Sequence, residues 1–348
     1  MVFRAVWIAL AVAACAGTYG GHPPTTPGAA GPRGVEAAGL PYHVLDRAGH
    51  QLDEATFWSR LGAARVACIG EEHPNPHHHW VQLEVVRHLV KAWPHAALGM
   101  EMFQRPFQGV LDDFAAKKIS EDDLRSRSGW ADRWGYDFGL YRPTIAAVVD
   151  AHGALIALNA PKELTHKVAH HGLESLSPDE RAQVPELDLK VAAHRAWFDA
   201  LMEEMGGSDA HAKKDDKAAK DDKPDKPDKQ QPPSDPPPAE AMPTADNIYT
   251  VQVMWDETMA DTAAKFLAAH PDAHLVILAG NGHCHDSAIV DRMKRRGVKD
   301  VVSVRPVIDD GEDGVAQVLA KPMHDFVVVL ELPADVKAKM AAEREREK

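Results

Sequence analysis

The chain has 348 residues, 45% of them hydrophobic, enough to bury a full core with length to spare for a second small domain. Its formal net charge of −13 leaves no basic stripe to neutralise phosphates and argues against a nucleic-acid partner. Twenty histidines is a high count, and clusters at His77, His78, His79, at His170, His171 and at His283, His285 fit either metal and haem traffic or solvated loops.

The N-terminus sets the compartment. Arg4 precedes an apolar run over 5–14 that is too short to span a membrane. The run ends in Val12-Ala13-Ala14-Cys15, which resembles a bacterial lipobox, with cleavage before Cys15 and a lipid on its thiol. An ordinary secretory signal or a membrane anchor is the alternative, and each puts the mature chain outside the cytoplasm. Residues 1–15 therefore read as a lipoprotein signal, and 16–41, rich in Gly, Pro, Ala and Thr, as a flexible tether.

The folded domain is expected over 42–205 and 246–335. Residues 53–61 suit a short helix. The organising stretch follows: a buried-strand signal over 65–69 stops at Gly70-Glu71-Glu72-His73, Pro74 and Pro76 fix a turn, and 80–93 is a helix with Leu83, Val86, Leu89 and Val90 on one face. Residues 96–100 form a second buried strand ending at Glu101. Phe107, Val110, Leu111 and Phe114 mark an amphipathic helix, and Ser120 with Asp123 caps another. The stretch 130–143 is aromatic and irregular, and Pro143 opens a helix to about 149. A third strand over 154–158 ends in Asn159-Ala160-Pro161. Residues 162–205 are helical. Residues 206–245 are almost wholly Lys, Asp, Pro, Ala, Gln and Ser, and are expected to be a disordered insertion. A long helix over 248–266, a fourth strand over 274–279 running into Gly280-Asn281-Gly282-His283, and strands near 301–304 and 326–330 complete an α/β domain. Its mostly parallel sheet is flanked by helices, and a charged tail occupies 336–348.

Four apolar strands thus end in polar stops: Glu71/His73, Glu101, Asn159 and Asn281/His283. In a parallel sheet these lie along one edge, where ligands bind. Two histidines and two carboxylates there suit a divalent metal ion or a His–Glu general base. Helix capping explains Asn159 and Asn281 equally well. Tyr136 and Tyr141 in the aromatic stretch suit a haem pocket, because ferric iron accepts tyrosinate, or simple aromatic packing. Cys68 and Cys284, both at strand ends, read either as a disulfide or as two buried thiols.

Together, GEEH at 70–73, EMF at 101–103, the W-G-Y…Y-R-P stretch at 134–143, NAP at 159–161 and GNGH at 280–283 resemble the ChaN family, haem-binding uptake lipoproteins of the Tiki superfamily. The resemblance covers roughly 42–205 and 246–332. It implies an α/β sheet domain with a small helical subdomain, an iron-regulated outer-membrane lipoprotein facing the surface or the periplasm, and a homodimer with two stacked haems. It also implies a tyrosine on iron. Tyr141, in the Tyr-Arg-Pro match, is preferred to Tyr136, and Arg142 is assigned to a haem propionate. His73, Glu101, Asn159, Asn281 and His283 would shape the pocket. The resulting expectation is a non-enzymatic haem-binding lipoprotein serving iron acquisition, with haem, the membrane, a second copy and an outer-membrane haem receptor as partners. Its rival is a metal-dependent hydrolase, peptidase or esterase-like, using Glu71, His73, Glu101 and His283. A scaffold with a vestigial site is a third reading.

Overall fold

The computed structural model describes residues 34–204 and 242–346. The lipobox and Cys15 lie outside the described residues, as does nearly all of the charged insertion. Eight strands form one sheet: β1 (Tyr42–Asp46), β2 (Gln51–Leu52), β3 (Val66–Ile69), β4 (Ala96–Gln104), β5 (Ala154–Asn159), β6 (His274–Leu278), β7 (Val301–Asp309) and β8 (Phe326–Glu331), in the order β2-β1-β8-β7-β3-β6-β4-β5. The run from β8 to β5 is parallel, and the β1–β2 hairpin closes one edge antiparallel. This is the expected mostly parallel α/β architecture.

Two-sided burial explains why the central strands read as unbroken apolar runs. In β3, Ala67 and Ile69 pack with Leu98, Val276, Leu278 and Val304 on one face, under helix α1 (Pro76–Ala92). Val66 and Cys68 face the other way, with Ile156, Leu275 and Ile277 under helices α2 (Lys162–His171) and α3 (Ala245–Ala269). Truncating a side chain such as Leu98, which has no exposed surface, costs about 2–5 kcal/mol in sites of this kind.

Several boundaries differ from the sequence reading, each for a local reason. Helix α1 starts at Pro76, not near residue 80. Asn75 accepts from the N–H groups of His77 and His78, and Pro76 occupies the first turn, so the three histidines belong to the helix and not to a loop. Strand β4 does not end before Glu101. It runs to Gln104 through a register shift between Met100 and Gln104 against β5, the kind of bulge that re-aims a side chain. The tether ends sooner than residue 41: Val35 and Ala38 are buried, and the Ala38 carbonyl lies 2.6 Å from His77 Nδ1. The helical stretch after β5 is broken into α2, Pro178–Arg181 and Ala192–Glu204. Capping at Ser120 is as expected, with a reciprocal box to Asp123.

Candidate functional site

The loops after β3 and β6 meet over the strand ends. Asn281 N–H donates to the Glu71 carbonyl at 2.8 Å, and the Asn281 side chain fills the space over Gly70, where a Cβ would sit 2.3 Å from its Oδ1. Cys68 of β3 and Cys284, next to His283, form a disulfide with both residues fully buried. Of the two readings of these cysteines, pairing is what the fold adopts. It fixes the His283 loop to the middle of the sheet.

Each of the two site histidines is held by its own buried carboxylate. His73 Nδ1 donates to Glu71 Oε1 at 2.7 Å, and His283 Nδ1 donates to Asp256 Oδ1 at 2.7 Å. Glu71 and Asp256 have fully buried side chains, whereas His73 keeps 13% and His283 10% of its side chain exposed. Each imidazole is thus oriented by a buried carboxylate while a small part of its ring stays exposed. Glu101 lies between them. Its Oε2 accepts from Gly280 N–H at 2.7 Å, and its Oε1 is 3.4 Å from His283 Nε2. A Cβ on Gly280 would stand 3.0 Å from His73 Cε1 and 3.7 Å from Glu101 Oε2, so glycine lets His73 lie against the loop without shifting.

The charges are interlocked. Burial disfavours an imidazolium at His283, but Glu101 and Asp256 outweigh it and push the pKa up to about 10. His73 is likewise opposed by burial and raised on balance by Glu71. Burial would raise Asp256 and Glu71. Arg292 and His283 hold Asp256 low instead, and His79 and His73 do the same for Glu71. At Asp256 Oδ2, the oxygen His283 does not use, Arg292 comes within 3.8 Å and His194 Nε2 within 2.9 Å.

The aromatic stretch closes one side. The His73 ring meets Trp134 edge-on at 4.7 Å and Tyr136 at 5.0 Å, and Trp134 and Tyr136 are 5.6 Å apart. Tyr136 is half-buried at this rim. Tyr141 is placed quite differently. It is fully buried, donates to Glu71 Oε1 at 2.8 Å and accepts from Trp134 Nε1 at 3.1 Å. Burial and the Glu71 charge raise its phenol well above the usual value, which opposes the tyrosinate an iron ligand needs.

The other predicted residues separate from this cluster. Arg142 is exposed and holds Glu121 through two hydrogen bonds of 2.7 and 2.6 Å, beside a shallow groove with Phe114 and Phe138. That pairing occupies the group assigned to a propionate. Asn159 accepts from the next residue's N–H at 2.8 Å, a local turn bond. Sequence reasoning missed Asp256, Gln82 and His194, and had His79 only as part of the His77–His79 cluster. Gln82 donates to Glu71 Oε2 at 2.8 Å, and His79 donates to the His73 carbonyl at 2.9 Å. The adjacent acids Asp256 and Glu257, inside the apolar Val251–Trp255–Met259 stripe, were the available signal. Among the described residues no set of three or more His, Cys, Asp and Glu is arranged to hold a metal ion. Of the four residues named for the alternative divalent ion, Glu71 is engaged by His73, Gln82 and Tyr141, and Glu101 by Gly280 N–H.

The model of the haem-binding uptake family, ChaN, of the Tiki superfamily matches residues 57–293, more than half of the chain. The chain belongs to this family. Among solved structures, ChaN of Campylobacter jejuni, described with cofacial haem binding, is 14% identical with a TM-score of 0.58, over 83% of this chain and 96% of that one. That likeness shows the shared fold. The type III effector HopBA1 covers 84% of this chain and 96% of its own at 9% identity and a TM-score of 0.38. A mutant of the erythromycin esterase EreC, in its open conformation, covers 77% of each at 10% identity and a TM-score of 0.40. No curated protein matches the chain.

Proposed function

We propose that this ChaN-family chain binds haem and serves haem or iron acquisition as an outer-membrane lipoprotein anchored through Cys15, acting as a homodimer that receives haem from, or passes it to, an outer-membrane receptor. The observation that carries the haem reading is the aromatic rim of His73, Trp134 and Tyr136 at the strand ends. These groups fit the cofactor: Trp134 and Tyr136 offer apolar faces to a porphyrin, and a phenol at the rim suits ferric iron. The ligand role passes from Tyr141 to Tyr136, because Tyr141 is engaged on both sides and its ionisation is opposed. Glu71 then acts through Tyr141 and His73 to hold the rim. Titration of purified protein with hemin tests this. Tyr136→Phe should shift the Soret and charge-transfer bands and weaken binding at least tenfold, whereas Tyr141→Phe should leave the spectrum unchanged. Wild-type protein that shows no saturable hemin spectrum ends the reading.

A second reading rests on the paired imidazoles. Two partly exposed histidines, each oriented by a buried carboxylate, suit hydrolysis of an ester or peptide, with His283, held as an imidazolium, as the general acid. Turnover of a p-nitrophenyl ester that is lost in both His73→Ala and His283→Ala would favour it, and absence of turnover in the wild type would dismiss it.

A further inference from the structure

A separate polar cluster lies where β7 outruns its pairing with β3. Cys68 and Ser303 are register partners, so Arg305 lies on the same sheet face, just beyond Val304, whose carbonyl accepts from Gly70 N–H at 2.9 Å. The chain before β8 is tied to this place. Ser303 N–H donates to Asp325 Oδ2 at 2.9 Å, Asp325 N–H donates to Ser303 Oγ at 3.0 Å, and Asp286 N–H donates to the Met323 carbonyl at 3.0 Å. These bonds bring the rings of His285 and His324 to 6.3 Å, with 0% and 4% of each residue exposed. Trp197 packs on His285 at 4.6 Å.

Several buried nitrogens of the cluster lack partners. Neither ring nitrogen of His324 has a partner, nor does Nε2 of His285, nor the buried Nε of Arg305. The acids close by are engaged elsewhere: Asp286 and Asp325 pair with Arg47, and Asp256 serves His283 and His194. Glu72 and Glu204 act on Arg305 through space, without a hydrogen bond. Burial first, with the Arg305 charge adding to it, pushes His324 well below its usual range. Burial likewise lowers His285 to about 3, against the opposing pull of Asp256.

Native interiors rarely leave so many buried polar groups unpaired in one place, and each such group is costly without a partner. An oxyanion supplies partners that are missing: acceptors for Arg305 Nε and for imidazole N–H, and a charge opposite to Arg305. We propose that Arg305, His285 and His324 form a binding site for a small oxyanion of the phosphate or carboxylate class, apart from the aromatic rim.

Calorimetric titration of the full chain with sodium phosphate, and separately with sodium acetate, tests this at an ionic strength held constant with sodium chloride. The expected result is saturable binding at one site by at least one of the two anions. That binding should weaken at least tenfold in Arg305→Gln and in His324→Phe. Arg305→Lys, which keeps the charge but not the fork, should fall between. Binding of phosphate alone assigns the phosphate class and binding of acetate alone the carboxylate class. Should Arg305→Gln lose its near-ultraviolet circular dichroism, the comparison passes to Arg305→Lys and His324→Phe. No saturable heat with either anion in the wild type, or undiminished binding in the folded variants, overturns the proposal.

Discussion

The raised pKa of His283 makes stability depend on pH in a window where few other groups titrate. In the folded chain the imidazole titrates at about 10, against an ordinary value of 6.5, because Glu101 and Asp256 offset the cost of burying its charge. A folded-state pKa above the unfolded one means the stabilisation is complete below pH 6.5. It is lost progressively as pH rises, and is gone above about 10. The slope approaches about 1.4 kcal/mol per pH unit, so between pH 7 and 9 the His283 contribution should shrink by about 2.5 kcal/mol. The perturbation is His283→Gln, which keeps a donor for Asp256 and removes the charge. Urea unfolding of both proteins at pH 7, 8 and 9, without reductant, gives the difference in free energy at each pH, and titrations common to the two cancel. The difference should fall steadily across the series. A difference that stays flat within error would mean that His283 is not an imidazolium in the folded state, and would remove the electrostatic account of the Asp256–His283–Glu101 row.

Further outcomes follow from single observations. Cys68→Ser with Cys284→Ser opens a cross-link spanning 216 residues and should lower unfolding free energy by about 2–5 kcal/mol by chemical denaturation. A loss under about 1 kcal/mol would show that the His283 loop is held without the bond. Gly280→Ala places a methyl 3.0 Å from His73 Cε1, so His73 must shift, and hemin affinity should drop while the melting temperature falls only a few degrees. Unchanged hemin binding in that variant would put the haem away from His73. Intact-mass analysis of membrane-extracted protein should show a diacylglycerol-modified Cys15 as the first residue, with processing blocked by globomycin. An unmodified Cys15 would end the lipoprotein reading.

Much of the sheet was legible because its central strands are buried on both faces and therefore read as short apolar runs bounded by Gly, Pro or acid. Strand order was not, since apolar runs carry no pairing information. The β1–β2 hairpin escaped because Gln51–Leu52 is too short to show any alternation. Glu101 was found, but as a strand stop. It is a polar residue at a register shift inside a longer strand, which sequence pattern cannot tell from an end. The histidines were visible, and the carboxylate behind His283 was not. Asp256 sits one residue from Trp255 on a helix whose apolar stripe marks it as core, and the stripe alone does not say which way its charge turns. In the fold it is fully buried, between two histidines and near Arg292. The choice between Tyr136 and Tyr141 was likewise beyond pattern. Both lie in one irregular aromatic stretch, and only its path over the strand ends buries one hydroxyl against Glu71 and leaves the other ring at the rim.

That path also explains why a strand-end set of two histidines and two carboxylates does not amount to a metal site here. A divalent ion needs the carboxylate oxygens and imidazole nitrogens to converge on one point. In this chain the Nδ1 of each histidine is turned inward and bonded to Glu71 or Asp256, and Glu101 is tied to Gly280 N–H. The negative charge is therefore consumed in holding imidazoles in place, and the side chains left partly exposed beside them are those of Trp134 and Tyr136. Such a surface is poorly suited to enclosing a bare cation and well suited to covering a flat apolar ligand whose metal already carries its own equatorial donors. Glu71, which looks catalytic in sequence, thus braces His73 and Tyr141 beneath the aromatic rim.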